Sequence, residues 1–190
     1  MSSGTILLIV LLGAAGLVVL YGVVLYNRLV GRKNQVAAAW SQIDVQLKRR
    51  HDLIPNLVEV AKDYMDYEQE TLQRVIQARS QAVAAREQGP EASMQAEGLL
   101  GAALGKLFAL AEDYPDLKAD GNLSRLQEEL ATTENRIAFA RQHYNDSVMV
   151  LNTLVETFPA VIVANNFNFA KAVFFEVPDS DLAPVKVDLR

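Results

Sequence analysis

The sequence predicts an all-α protein. Four long helices form a bundle, the first is continuous with an N-terminal transmembrane helix, and an extended C-terminal tail follows. Three observations carry this reading. Thr5 to Tyr26, TILLIVLLGAAGLVVLYGVVLY, contains no charged residue. From Val36 to Ala61 the apolar residues Val36, Trp40, Ile43, Leu47, Ile54, Leu57 and Ala61 recur at alternating steps of four and three. That is the period of a helix with one narrow stripe that other helices must cover. Three further stretches keep a helical period, the first parted from the second by Gly-Pro and the second from the third by Asp-Gly.

The uncharged run holds 22 residues. At about 1.5 Å per residue it extends roughly 33 Å as a helix, enough for a bilayer core. A cleaved signal peptide would want a basic start and a small-x-small site at its end. Met1–Gly4 has no basic side chain, and the run ends in Val-Val-Leu-Tyr. The reading is therefore an uncleaved anchor. Arg28, Arg32 and Lys33 follow at once, with no acid before Asp44. The positive-inside rule then puts the N-terminus outside and the helical domain in the cytoplasm, with Tyr21 and Tyr26 at that interface. Gly13 and Gly16 are three apart, so the close-packing dimer motif with a spacing of four is absent.

The first helix continues out of the membrane, because only Gly31 weakens it between Tyr26 and Asn34, by about 1 kcal/mol. Pro55 is expected to kink it near His51, since proline lacks an N–H and clashes with the carbonyl four residues back. The helix should end around Tyr64–Tyr67. The second helix is read over 68–88, with Leu72, Val75, Ile76, Ala82 and Val83 inward, until Gly89-Pro90 breaks it. The third, over 91–112, is rich in alanine and glycine. It can approach its neighbours closely but needs Leu99, Leu100, Leu104, Leu107 and Phe108 buried to hold it. Tyr114-Pro115-Asp116 opens a loop that Asp120-Gly121-Asn122 closes. The fourth helix, over 122–157, carries the stripe Leu123, Leu126, Leu130, Ile137, Tyr144, Val148, Leu151 and Val155, and Pro159 stops it. From Asn165, four phenylalanines crowd a short segment, while Pro178 and Pro184 prevent a long helix. The domain reading is an anchor over 1–27, a helical bundle over 28–164 and a tail over 165–190, with an alternating, strand-like look near Val185–Leu189.

These blocks carry a family resemblance. AWSQIDVQLKRRHDLIPNLVE, then YPDLKAD, then ENRIAFARQHYNDSV, in order between Tyr26 and Phe169, resemble the LemA family of bacterial membrane proteins. The resemblance implies a single N-terminal anchor and an antiparallel arrangement of the helices. It implies no reaction, cofactor or ligand residue.

Composition narrows the function. The net charge is −5, and no charged residue precedes Arg28, so the acidity belongs to the helical domain. This argues against a nucleic-acid partner. The absence of cysteine excludes disulfides, thiolate metal sites and a lipoprotein acyl anchor. His51 and His143, the only histidines, lie in no metal-binding spacing, and neither a nucleophile elbow nor a phosphate-cradling loop occurs. His51 is read as solvated or capping. No catalytic, cofactor-binding or metal-binding residue is assigned, and no cofactor is expected.

The informative polar residues are those on the stripes. Arg50 occupies an apolar slot of the first helix, and Thr133, Glu134, Asn135 and Arg136 interrupt the stripe of the fourth. A buried arginine must be paired. The structural reading is a buried Arg50–Glu134 pair that fixes helix register, and the functional one is a recognition pocket on the bundle flank. Trp40 is read as core, and Lys48–Arg50 as a solvated or paired patch. The tail residues Phe167, Phe169, Phe174 and Phe175 have no evident internal partner, so they are assigned to contacts between subunits. The function read from the sequence is a self-assembling scaffold or coat at the inner face of the bacterial cytoplasmic membrane, without catalysis. Its partners are the lipid bilayer and copies of itself. The alternative is an adaptor that presents the bundle flank to another membrane protein, a protease or transporter.

Overall fold

The structure, a computed structural model, describes residues 3–65 and 67–175. Every regular element among them is helical: α1 (Ser3–Lys62), α2 (Gln69–Ala85), α3 (Pro90–Ala111), α4 (Pro115–Lys118), α5 (Gly121–Glu156) and α6 (Ala160–Asn166), with a single 3₁₀ turn at Arg86–Gln88. The strand-like Val185–Leu189 segment, Pro178 and Pro184 lie outside the described residues. The described part of the tail holds no strand, and its first residues, Asn165 and Asn166, close α6.

α1 is the one described helix that is by itself long and apolar enough to cross a membrane, and its apolar window is uncovered by protein. Its 60 residues amount to about 90 Å at 1.5 Å per residue. The break between α2 and α3 falls on Gly89, whose φ of +105° is a conformation that a side chain would strain. Pro90 then takes the first position of α3, where its missing N–H costs nothing. Asp120 caps α5. Its carboxylate accepts the backbone N–H of Asn122 at 2.7 Å and of Leu123 at 3.1 Å. Those two bonds hold the Asp120 carboxyl below its ordinary value.

The chain divides into two units, with α1 and α5 each contributing to both. The first joins α1 up to Ala39 with His143–Phe174. Its buried residues include Leu25, Leu29, Val36 and Ala39 of α1, Tyr144, Val148, Leu151 and Val155 of α5, and Ala160 and Ala164 of α6. Two polar ties add to it: Tyr144 donates to the Val173 carbonyl at 2.9 Å, and the Asn152 amide exchanges two 2.9 Å bonds with the backbone of Ala172. Burial raises the Tyr144 phenol. The second unit joins Trp40–Gln142 with Phe175. Its core runs from Ile54, Leu57 and Ala61 of α1 through Leu72, Val75 and Ala82 of α2 and Leu100, Leu104 and Leu107 of α3 to Leu123 and Leu130 of α5.

The packing corrects several facing assignments. On α2 the inward line is Thr71, Leu72, Val75, Ala78, Ala82 and Ala85, while Ile76 and Val83 are exposed. After Leu72 and Val75 the face continues through alanines three and four apart rather than through Ile76 and Val83. On α3, Leu99 points outward, and a Cβ on Gly101 or Gly105 would meet nothing within 4 Å. Those glycines border open space and do not serve close approach. Trp40 is half-buried, not fully core.

Candidate functional site

The polar centre of the second unit is built around Pro55. A proline at this position cannot donate to the carbonyl of His51, one turn earlier, so that acceptor is left over inside the helix. Arg79 of α2 fills the gap, with its Nε 2.7 Å from the His51 carbonyl oxygen. α1 runs unbroken through the proline to Lys62.

One turn before Pro55, Arg50 and His51 turn inward together. Arg50 follows Ile43 and Leu47 and precedes Ile54 and Leu57 on the buried stripe. His51 lies on a second line of the same period, Leu47–His51–Ile54–Val58, and is buried, where the sequence reading had it solvated. Both side chains meet Glu97 of α3. The Arg50 Nη2 donates to the Glu97 carboxylate and also lies 3.3 Å from its backbone oxygen. The His51 Nε2–H donates to Glu97 Oε1 at 2.6 Å, because an ionised carboxylate can only accept. The Arg50 Nη1 reaches Glu134 of α5.

Burial ranks these partners. The side chains of Arg50 and Glu97 are 6% and 5% exposed, whereas Glu134 is 47% exposed. The structure therefore brings Arg50 and Glu134 together, but it does not bury both. Thr133 takes the buried slot on α5 and turns its hydroxyl back to the Glu129 carbonyl, which leaves Glu134 at the rim. The buried acid opposite Arg50 is Glu97, which the sequence reading missed. The signal was available, since Ser93, Glu97, Leu100, Leu104, Leu107 and Ala111 step by four and three along α3, with a charge in an apolar slot as at Arg50.

A second ion pair lies just beyond α2, where Arg86 opens the 3₁₀ turn. Arg86 holds Asp44 of α1 through two parallel bonds of 2.7 and 2.8 Å. That fork keeps the Asp44 carboxyl below its ordinary value and raises the Arg86 guanidinium. Around the cluster, a groove of about 490 Å³ opens between α3 and α5, with Arg50 and Glu134 at its polar end and Gly101, Leu104, Gly105 and Phe108 along its wall.

The tail aromatics do not act as one group. Phe167 and Phe169 pack edge-on against Tyr26 of α1, with ring centroids 4.9 and 5.7 Å away. Phe175 is buried against Trp40 at 6.3 Å, with the Arg141 guanidinium 5.2 Å over its ring. Phe174 stays exposed. Three of the four thus find partners within the chain, contrary to the expectation that they lack them. The lines Trp40–Leu47 on α1 and Ile137–Arg141 on α5 left room that the stripes alone did not reveal.

The cluster is not fully satisfied, since Arg50 Nε and His51 Nδ1 are buried without a hydrogen-bond partner. Among the described residues no group of three or more histidine, cysteine or acidic side chains could hold a metal ion. What the arrangement does is hold three helices, α1, α3 and α5, at one level through one guanidinium. Comparison with known proteins agrees with the three sequence blocks: the sequence model of the LemA family matches residues 39–189. The chain belongs to the LemA family. Among its curated relatives, Magnetosome protein MamQ 2 of Paramagnetospirillum magneticum is 24% identical, over 84% of this chain and 68% of that protein. Magnetosome protein MamQ of Magnetospirillum gryphiswaldense is 25% identical over 82% and 66%. Protein LemA of Metamycoplasma hominis is 25% identical over 85% and 73%.

Proposed function

We propose that this LemA family member is a membrane-anchored, self-assembling scaffold at the inner face of the bacterial cytoplasmic membrane, without catalysis. In this reading α1 crosses the bilayer once with its N-terminus outside, and α1, α2, α3 and α5 form an antiparallel four-helix bundle in the cytoplasm. The observation that carries it is the continuity of α1: one helix holds the uncovered apolar run at one end and Arg50, the centre of the ionic cluster, near the other. The direction of the bundle is supported at two levels. Tyr64, just past the end of α1, donates to Asp120, the cap of α5, while earlier on α1 Arg49 and Arg50 meet Glu129 and Glu134 further along α5, which favours opposed senses for the two helices. Arg79 at His51 and Arg86 at Asp44 give α2 the same opposed sense to α1.

Self-association has fewer tail residues available than the sequence suggested. Phe174, together with the exposed Leu99 and Phe139 of the helical flank, is left to meet a neighbour. Those same flank residues favour the second reading, an adaptor for another membrane protein. The test combines topology and mass. A reporter fused after Arg190 should work only if it functions in the cytoplasm, and the native particle in detergent should contain many copies of this chain alone. Periplasmic activity overturns the orientation, a monomer overturns the scaffold, and a stable heteromer with one other membrane protein selects the adaptor.

A further inference from the structure

The turn between α5 and α6 carries apolar side chains outward at the level where the apolar run of α1 ends. α6 leaves α5 at 93°. It buries only Ala160 and Ala164. Phe158 in the turn is 76% exposed, Ile162 on α6 is 52% exposed and Phe167 just after it is 61% exposed. Single exposed apolar residues need no explanation, but three at one elbow do. The elbow is fixed to α1 at Tyr26, the last residue of the uncharged run, through the edge-on contacts of Phe167 and Phe169.

Charge points the same way. Thr157–Phe175 contains no acid in a chain whose net charge is −5. Its one basic residue, Lys171, pairs with Glu156. On α1 the residues next to Tyr26 add Arg28, Arg32 and Lys33 and no acid. A surface that is apolar, aromatic and free of acids, bordered by cations and joined to the end of a membrane span, has the chemistry of the zone between acyl chains and headgroups.

We propose that the α5–α6 elbow is a second membrane contact of this protein: Phe158, Ile162 and Phe167 insert into the headgroup region of the leaflet from which α1 emerges. The occupant of this surface is the bilayer, and a second copy of the chain is the competing occupant. The inference rests on the reading of α1 as a membrane span and adds a site that the span alone does not imply.

The chain has no cysteine, so single labels can be placed without background. Full-length Phe158→Cys, Ile162→Cys and Phe167→Cys, each carrying an environment-sensitive fluorophore, are reconstituted into bilayers of phosphatidylethanolamine and phosphatidylglycerol. Leu12→Cys in the span and Glu128→Cys at an exposed position of α5 serve as the membrane and aqueous references. The expected result at 158, 162 and 167 is blue-shifted emission, loss of fluorescence to nitroxide-bearing lipids and protection from iodide, with the aqueous pattern retained at 128. Lipid quenching at 12 but an aqueous pattern at all three elbow sites overturns the elbow contact and leaves the span intact. Absence of lipid quenching at 12 overturns both. Elbow protection that disappears as protein is diluted into more lipid identifies a second copy as the occupant and also overturns the proposal. Equal helical content of every labelled chain by circular dichroism shows that the labels report on folded protein.

Discussion

Replacing Glu97 by alanine removes the acid that both Arg50 and His51 depend on. Arg50 is nine-tenths covered, and its remaining partner would be Glu134, which is half in solvent. An uncompensated charge in the interior is the expensive outcome of breaking a buried pair, at about 3–5 kcal/mol. The His51 imidazole loses its acceptor in the same substitution, which places Glu97→Ala toward the upper end of that range. Glu134→Ala leaves the Arg50–Glu97 pair standing and removes a partner that water already screens, so its cost falls near that of an exposed pair, roughly 0.2–1 kcal/mol. Total stabilities of single domains are about 5–15 kcal/mol, so the two variants are separable by any two-state measurement.

The assay is urea unfolding of the full chain in detergent, followed by far-ultraviolet circular dichroism, with the midpoint and slope read separately. Glu97→Ala should lower the midpoint sharply at unchanged slope, and Glu134→Ala should move it little. The double variant Arg50→Met with Glu97→Leu should recover much of the loss, since apolar residues of similar volume replace a buried pair at small or no cost. If Glu134→Ala costs as much as Glu97→Ala, the rim acid is the true partner and the ranking by burial is wrong. If Glu97→Ala costs less than about 1 kcal/mol, water reaches Arg50 and the cluster is not interior.

Two further predictions concern α2 and the turn after it. Arg79→Ala should cost about 1–3 kcal/mol by leaving the His51 carbonyl unsatisfied, and the loss should shrink in a Pro55→Ala background, where residue 55 regains the N–H that bonds this carbonyl; equal losses in both backgrounds would show that Arg79 acts elsewhere. Asp44 sits below its ordinary value of 3.8 because Arg86 bonds its charged form, so its contribution is complete above that value and is lost as pH falls toward the folded one. The stability difference between the native chain and Asp44→Asn, about 0.2–1 kcal/mol for so accessible a pair, should be constant from pH 5 to 8 and vanish in acid; a difference that grows in acid would contradict the sign.

The helices were legible because punctuation and period agree. Gly89-Pro90 and Asp120-Gly121 mark real ends, and the expected range 122–157 differs from Gly121–Glu156 by one residue at each end. Which residue on a helix faces inward was less legible. Ile76, Val83 and Leu99 are large and apolar, yet the packed face follows the period through Ala78, Ala82 and Ala96, because three neighbouring helices leave room for small side chains there. Arg50 was recognisable as a charge in an apolar slot. Glu97 obeys the same rule, but glycine and alanine around it hid the stripe. His51 keeps the period of the line Leu47–His51–Ile54–Val58, but a polar residue on that line is buried only because α3 brings it an acid. The internal partners of Phe169 and Phe175 lie more than a hundred residues earlier in the chain, at Tyr26 and Trp40, beyond the reach of any pattern along the chain.

Periodic stripes fix which faces meet, but they fix register poorly. The steps of four and three on α1, α3 and α5 repeat every seven residues, so shifting one helix by a heptad, about 10 Å at 1.5 Å per residue, would again set apolar rows against apolar rows. What distinguishes the correct register of α1, α3 and α5 in the second unit is the polar level at Arg50. Arg50 has one buried acid on α3 and one rim acid on α5 within reach, and a heptad slip of α3 would set Leu104 against Arg50 and strand Glu97 among apolar side chains. A buried ionic group is weak evidence of stability and stronger evidence of a specified arrangement. Pro55 sharpens the specification, because it supplies an acceptor that only a correctly placed Arg79 can use. Glu97 of α3 and Arg79 of α2 thus read the same turn of α1 from two sides, one through its side chains and one through its backbone. That turn is where the alignment of the second unit is decided.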